Sequence, residues 1–149
     1  MKVLFLEGSP VIEQDVALRL KHVLRGLLKK EEQIIAYFQS SCSTWMELCE
    51  WSLMEFQAAH ASKRVERVGL IPAEHDDRYS FASLRYERTE RLGLEKTDWR
   101  RRWAEEQADL VILYLEPLLC DDAALLRTYR MLQFRHPGKC VNLCFDTEH

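Results

Sequence analysis

Two apolar runs in the last third of the chain show no alternation with polar residues. They cover residues 110–115 and 140–145, and a segment with helical spacing of its apolar positions, residues 121–134, lies between them. A charged helix, capped by Asp98, is predicted before the first run. Apolar runs without alternation indicate strands that are buried on both faces, as in a parallel sheet covered by helices.

The first half of the chain carries the same kind of pattern. Strands are predicted at residues 2–6, 33–38 and 64–71, and helices at residues 15–30 and 44–61. In the first helix, the apolar stripe is formed by Ala17, Leu20, Leu24, Leu27 and Leu28. Such a stripe is typical of a helix that packs one face on a core. In the second helix, Thr44 and Glu47 have the spacing of a capping box, so Thr44 is the predicted N-cap.

Residues 73–97 form an insert with a high density of charge and no clear period. We expect a loop there, followed by one or two helical turns before residue 95. The order of elements is then βαβαβ, the insert, and αβαβ. This alternation favours parallel strands joined by right-handed helical crossovers. The predicted fold is α/β: a single Rossmann-like three-layer domain over residues 1–149, with a mostly parallel sheet of about five strands and helices on both faces.

Composition limits the classes of function. With 47% hydrophobic and 30% charged residues, the chain has the composition of an ordinary globular domain. A net charge of −3 does not favour nucleic acid or an anionic membrane as a partner. No apolar stretch approaches the ~20 residues of a membrane span. The five cysteines, an odd number without an export signal, lead us to expect free thiols and a cytoplasmic protein.

Polar residues at the predicted strand ends are the first candidates for a binding site. Ligands of open parallel sheets bind outside the carboxyl ends of the strands. Gly8 and Ser9 follow the first strand, Ser40 and Ser41 follow the second, and a helix comes after each pair. Backbone N–H groups at such turns can hold a phosphate with help from the helix dipole. The alternative interpretation is that these are ordinary turns.

Carboxylates at strand ends are the candidates for catalysis. These candidates are Glu74, Asp76 and Glu116, with His75 between the first two. Groups of this kind can act as acid and base when burial separates their pKa values; the alternative is a solvated, salt-bridged loop. The thiols at predicted strand-to-helix turns are Cys42 and Cys120, where a helix N-terminus could lower a thiol pKa. No zinc-ligand spacing occurs, so no metal is predicted.

Two stretches of the chain resemble a known superfamily. Ser40 and Ser41 stand where the superfamily has a Gly-Gly turn, and a helix and a strand ending in Gly-Leu-Ile-Pro, residues 69–72, follow. Gly8 matches a glycine after the superfamily's first strand. Further on, Arg100 matches a characteristic arginine.

The second stretch continues to the end of the chain. Residues 108–109, Ala-Asp, match a step into a hydrophobic strand, and residues 140–143, Cys-Val-Asn-Leu, match a strand that resembles Val-Ile-Asn-Leu. Residues 119–121, Leu-Cys-Asp, occupy the position of a Gly-Gly-Thr stretch. On these residues the chain resembles the SLOG superfamily, particularly its YpsA-like branch.

The resemblance implies a Rossmann-like domain that binds a nucleotide or an ADP-ribose-like ligand, without obvious catalysis. It implies that Gly8, Ser9, Ser40, Ser41 and Arg100 bind this ligand. An enzymatic alternative is an N-glycosidic hydrolase or deoxyribosyltransferase, which would use a carboxylate at the anomeric carbon of a sugar.

The missing glycines motivate a third hypothesis, a degenerate fold that acts as a protein-interaction or homodimerisation module. Aromatic side chains often anchor such surfaces. The candidate anchors are Trp45, Trp51, Tyr79, Phe81, Tyr86, Trp99 and Trp103.

Overall fold

The computed structural model describes residues 1–7, 15–39, 43–71, 86–92 and 99–144 of the chain. The strands in this part are β1 (Lys2–Phe5), β2 (Gln33–Gln39), β3 (Arg64–Ile71), β4 (Arg88–Arg91), β5 (Leu110–Leu113) and β6 (Cys140–Asn142). The helices are α1 (Val16–Lys30), α2 (Thr44–Ala59), α3 (Trp99–Glu106) and α4 (Ala123–Arg135), and a 3-10 turn covers Pro137–Lys139. None of these helices has the length and apolar character that crossing a bilayer requires.

The strands form one sheet in the order β4-β3-β2-β1-β5-β6, and every pair in it is parallel. β1 lies in the middle, with Val3 opposite Ala36 of β2 on one side and Leu110 of β5 on the other. This central position explains why the side chains of Val3, Leu4 and Phe5 are all buried. The fold class predicted from the apolar runs is confirmed, with six strands in place of about five.

Helices cover both faces of the sheet. On one face, α1 and α2 pack over a cluster that includes Phe5 and Phe38, whose rings stack with centroids 4.9 Å apart. On the other face, α3 and α4 cover a second cluster, in which the rings of Tyr37 and Trp103 lie 4.5 Å apart. The sheet is thus the middle layer of three, as the non-alternating strands indicate.

The α1 stripe agrees closely with its sequence pattern. Leu20, Leu24 and Leu28 are buried against the sheet, and so is Val16 at the first position of the helix. Ala17 and Leu27, which belong to the predicted stripe, are half-buried at its margin. The helix therefore packs on the sheet with a spacing of four residues.

The start of α2 differs from the prediction by one residue. Ser43 is the N-cap: its backbone is extended, and its Oγ accepts the N–H of Met46 at 3.1 Å. The prediction that Thr44 caps this helix was wrong, because Thr44 is the first helical residue. Both residue types can cap a helix, and the register with Ser43 as cap buries both Trp45 and Met46.

The end of the insert forms a strand. Residues 88–91 form β4, which pairs with β3 at the edge of the sheet, so the prediction of helical turns was wrong there. The strand reads Arg-Thr-Glu-Arg, without the apolar period that marks a buried strand. Charged residues are common on edge strands, where they prevent pairing with other chains. The rest of the insert, and the predicted cap Asp98, lie outside the described residues.

Candidate ligand site at the carboxyl edge of the sheet

The order of strands reverses direction between β1 and β5. From β1 the chain proceeds through α1 to β2 on one side, whereas from β5 it proceeds through α4 to β6 on the other side. The helix that follows β1, α1, and the helix that follows β5, α4, lie on opposite faces of the sheet. Leu6 still donates its N–H to the carbonyl of Ile112 at 3.1 Å. The position beyond that bond, between the carboxyl ends of β1 and β5, is the usual place for a ligand in such sheets. We call this position the crevice.

Glu7 follows β1 beside this position and is hydrogen-bonded to the neighbouring strand. Its N–H donates to Oε1 of Gln39 at 3.2 Å, and Nε2 of Gln39 donates to Oε2 of Glu7 at 3.5 Å. The half-buried carboxylate of Glu7 is therefore oriented by the last residue of β2. Gln39 was missed by sequence reasoning because the predicted strand ended one residue earlier. A polar residue directly after an apolar run was the available signal.

The first turn of α2 lies against the end of β1. The indole Nε1 of Trp45 donates to the carbonyl of Leu6 at 2.7 Å, and the indole ring lies 6.1 Å from the ring of Tyr114, just after β5. The N-terminus of α2, with its positive dipole end, is thus fixed beside the crevice. Trp45, a candidate interface anchor in the sequence, is a buried structural residue here.

Glu116 lies at the carboxyl end of β5, the kind of position predicted for a catalytic carboxylate. It is half-buried, its Oε1 accepts the N–H of Leu118 at 3.1 Å, and its Oε2 lies 3.8 Å from Sγ of Cys144. It is the described member of the three candidate carboxylates, since Glu74 and Asp76 lie outside the described residues, as does His75. A carboxylate held in this way is oriented rather than free to rotate in solvent.

Asn142 fastens the segment after β5 to the end of β6. Its Nδ2 donates to the carbonyl of Leu115 at 2.8 Å, and its Oδ1 accepts the N–H of Leu115 at 2.9 Å and that of Cys144 at 3.1 Å. The buried amide thereby replaces strand pairing, and β6 ends here. The predicted strand over residues 140–145 was too long, because residues 143 and 144 lie in the following turn.

Arg100 reaches the same edge of the sheet from the first turn of α3. Its Nη1 donates to Oδ2 of Asp122 at 2.8 Å and its Nη2 to Oδ1 at 3.2 Å. Asp122 is also the N-cap of α4, accepting the N–H of Leu125 at 3.0 Å. The hydrogen bonds from Arg100 are the main cause of a lowered pKa for the Asp122 carboxyl, with a further contribution from Leu125.

The remaining predicted ligand residues, Gly8, Ser9, Ser40 and Ser41, lie outside the described residues, so their contact with a ligand stays a prediction.

Arg102, two residues after Arg100 in α3, has a different environment. It is exposed and forms an ion pair with Glu106 at 3.3 Å along the same helix.

Burial makes two of the cysteines poor candidates for chemistry. Burial, together with the charge of Glu50, raises the pKa of the Cys49 thiol, and burial raises the pKa of Cys140 to about 12. Cys120, at the turn after β5, is half-buried, and its Sγ lies 3.6 Å from the carbonyl of Asp122. Cys42 lies outside the described residues. Within the described ranges, no group of three or more His, Cys, Asp or Glu side chains could hold a metal ion.

A concavity of the described surface lies between the edge strand β4 and α3. It has a volume of about 290 Å³ and is lined by Glu90, Arg91, Leu92, Trp99, Arg102, Trp103, Glu106 and Gln107. Acidic and basic side chains are mixed along it, and Trp103 is part of the core beneath it. This groove therefore has no single electrostatic preference, and none of its lining residues belongs to β1 or β5.

No protein-family model matches the chain, no curated protein matches it, and no solved structure matches it. The resemblance to the SLOG superfamily consequently stays a hypothesis based on the residues quoted above. The fold and the arrangement of side chains at the carboxyl edge are the observations from which a function can be inferred.

Proposed function

We propose that this chain binds a small anionic ligand derived from a nucleotide, in the crevice between β1 and β5, and that it does so without catalysis. The observation that carries the proposal is the reversal of strand order at this point. Such a reversal leaves a gap between two parallel strands whose following segments go to opposite faces. Ligands of open α/β sheets bind at gaps of this kind.

The charges around the crevice favour a ligand with both an anionic and a hydroxyl part. The N-terminus of α2, held beside β1 by the bond from Trp45 to Leu6, attracts a phosphate. The carboxylate of Glu7, held by Gln39, accepts hydrogen bonds from hydroxyl groups such as those of a ribose. In the proposed complex, the amides around Gly8, Ser9, Ser40 and Ser41 contact the phosphate.

The guanidinium of Arg100 is already hydrogen-bonded to the carboxylate of Asp122. An anionic ligand would therefore share this guanidinium with Asp122. We therefore assign the phosphate to the α2 end of the crevice, and the role of Arg100 is to add a positive charge from the α4 side. We also propose a cytoplasmic location. The chain has five cysteines, an odd number that cannot all be paired in disulfides, and free thiols are typical of a reducing compartment.

Thermal-shift measurements with adenine nucleotides, NAD, ADP-ribose and cyclic nucleotides test this proposal. A ligand at 100 times its dissociation constant stabilises the folded state by about 2.7 kcal/mol, which for a chain of this size raises Tm by roughly 5–10 °C. Adenosine, which lacks a phosphate, is the matched control and should give a smaller shift. If none of these compounds changes Tm at millimolar concentration, the proposal is wrong.

An enzymatic candidate is favoured by one specific observation, the fixed orientation of Glu116 after β5. An N-glycosidic hydrolase or deoxyribosyltransferase needs an oriented carboxylate at the anomeric carbon. Incubation with nucleosides, followed by chromatography of the free base, tests this activity. The enzyme hypothesis expects release that Glu116→Gln abolishes, whereas release that is unchanged by Glu116→Gln would remove Glu116 from the chemistry.

A further inference from the structure

The outer surface of the helical layer formed by α1 and α2 carries three exposed large apolar side chains. Leu18 of α1 is 69% exposed, and Trp51 and Met54 of α2 are 65% and 46% exposed. Trp51 and Met54 are three residues apart and therefore lie on the same side of their helix. An exposed tryptophan next to other apolar side chains is typical of an interaction surface, because its burial gives a large gain in contact area.

The two helices of this layer carry opposite charges. Within α1 every charged residue is basic, and within α2 every charged residue is acidic. The exposed members on α1 are Arg25, Lys29 and Lys30, and those on α2 are Glu47 and Glu55. A surface that is basic on one half and acidic on the other is complementary to itself after a rotation that exchanges the halves.

We propose that this surface binds a second copy of the same chain, with α1 of each copy lying on α2 of the other. α1 and α2 connect parallel strands on the same face and run in the same direction. A two-fold axis parallel to both helices brings each basic helix onto the partner's acidic helix. Such an interface is isologous and closes as a dimer.

An ion pair within one copy shows which residues of α1 and α2 lie at the same level along the two helices. Nζ of Lys21 lies 3.5 Å from Oε2 of Glu55, so these two residues are at similar height. Leu18 precedes Lys21 by three residues, and Trp51 precedes Glu55 by four. Leu18 of one copy therefore meets the partner's Trp51, about one helical turn away from the level of the charges.

The size of the surface makes the dimer weak. α1 and α2 have 15 and 16 residues, so each is about 23 Å long, and two helices side by side are about 20 Å wide. The patch then covers roughly 450 Å² per copy, below the ~800 Å² of a standard interface. We expect a dissociation constant on the order of 10 µM.

Sedimentation velocity over a range of about 1 to 300 µM measures the association directly. The wild type is expected to change from monomer to dimer in this range, and Trp51→Lys is expected to stay monomeric. Phe134→Lys is the matched control: Phe134 is 89% exposed on α4, on the opposite face of the sheet, so this variant should dimerise like the wild type. Circular dichroism verifies that both variants fold. A wild type that is monomeric throughout, or equal effects of the two variants, overturns the proposal.

Charge reversal distinguishes the proposed arrangement from other dimers. Arg25→Glu and Glu55→Lys should each weaken self-association, since each places like charges opposite each other in both halves of the interface. When the two variants are mixed, the heterodimer has opposite charges in both halves, so it should form more strongly than either homodimer. No recovery in the mixture excludes the contact of α1 with the partner's α2.

An anionic membrane is the other surface that basic and apolar side chains could bind. Sedimentation with vesicles of phosphatidylcholine and phosphatidylserine tests it. The acidic α2 predicts that the protein stays in the supernatant. Binding of a monomer to these vesicles through Trp51 overturns the assignment of the surface to a second copy.

Discussion

The guanidinium of Arg100 holds Asp122 through two hydrogen bonds of 2.8 and 3.2 Å, and Asp122 in turn caps α4. The pair joins the first turn of α3 to the first turn of α4. The positive end of the α4 dipole is thereby already occupied by a carboxylate of the chain itself. Of the helix termini described near the crevice, α2 is consequently the better place for the anion of a ligand.

The first prediction concerns the stability of Arg100→Ala. The side chain is only 12% exposed, and its removal leaves Asp122 without its cation. Hydrogen bonds to charged groups contribute about 1.5–3 kcal/mol each when buried; with Asp122 partly exposed, we expect a loss of about 1–2 kcal/mol in the free energy of unfolding. Urea denaturation measures it.

Arg102→Ala is the matched control for Arg100→Ala. Its ion pair with Glu106 is exposed and spaced by four residues in one helix, so its loss should cost at most about 0.5 kcal/mol. If an anionic ligand is found, Arg100→Ala should also weaken its binding, whereas Arg102→Ala should not. The effect should be smaller than the ~1.5–3 kcal/mol of a direct hydrogen bond to a charged group, because the proposed phosphate position is at the α2 end of the crevice. Equal effects of the two variants on stability would contradict the structural role of Arg100.

The second prediction concerns pH. Because the folded state lowers the pKa of Asp122 below its ordinary value of 3.8, the pair contributes stability above about pH 4. This contribution is lost as the pH falls through the lowered pKa. Asp122→Asn keeps a capping side chain but removes the charge. The variant should be less stable than the wild type at pH 7, and the difference should narrow at about pH 3. Urea denaturation measures the free energy of unfolding of both proteins. If the wild type and Asp122→Asn differ by the same amount at both pH values, the prediction is wrong.

The sequence was sufficient for the fold because its main signals are long apolar runs. Residues 110–115 are apolar throughout, and burial on both faces leaves no alternation to confuse with a surface strand. β4 had no such signal, since an edge strand of charged residues has the composition of a loop. Its position depends on pairing with β3, which is a contact between distant parts of the chain.

The candidate site was predictable only at the level of position. Strand ends can be read from the sequence, so Glu116 was expected at the carboxyl edge, where the structure has it. Arg100 was expected near a ligand only from the resemblance, and it reaches the same edge from the first turn of α3. The partners Gln39, Asp122 and Asn142 were not identified as such. Their roles depend on hydrogen bonds across 22 to 32 positions of the chain, and no local pattern records which side chain meets which backbone group.

The third prediction concerns thiol reactivity. Burial raises the pKa of Cys49 and raises that of Cys140 to about 12, so at pH 7.5 both thiols are almost fully protonated and react slowly. Under native conditions, iodoacetamide should leave both unmodified while they are alkylated in urea, as judged by mass spectrometry of peptides. Native labelling of Cys49 at the rate seen in urea would contradict the buried position of this residue.

The fourth prediction concerns the amide of Asn142. Asn142→Leu preserves the approximate volume but leaves three backbone groups without their partner: the N–H and carbonyl of Leu115, and the N–H of Cys144. Each buried polar group left without a hydrogen bond costs about 1–3 kcal/mol, and we expect a total loss of at least about 2 kcal/mol. Urea denaturation at pH 7 measures this loss.

Thr128→Val provides the opposite case for the same experiment. The hydroxyl of Thr128 is buried on α4, and no hydrogen-bond partner for its Oγ1 is found among the described residues. Replacing it with a methyl group of similar size removes a desolvated polar atom without leaving a partner behind, so stability should be unchanged or higher by up to about 1 kcal/mol. The two variants thus compare a buried polar side chain whose hydrogen bonds stabilise the fold, Asn142, with one whose polar atom does not, Thr128. A loss of stability in Thr128→Val as large as that in Asn142→Leu would show that the cost comes from disturbed packing instead of unpaired backbone groups.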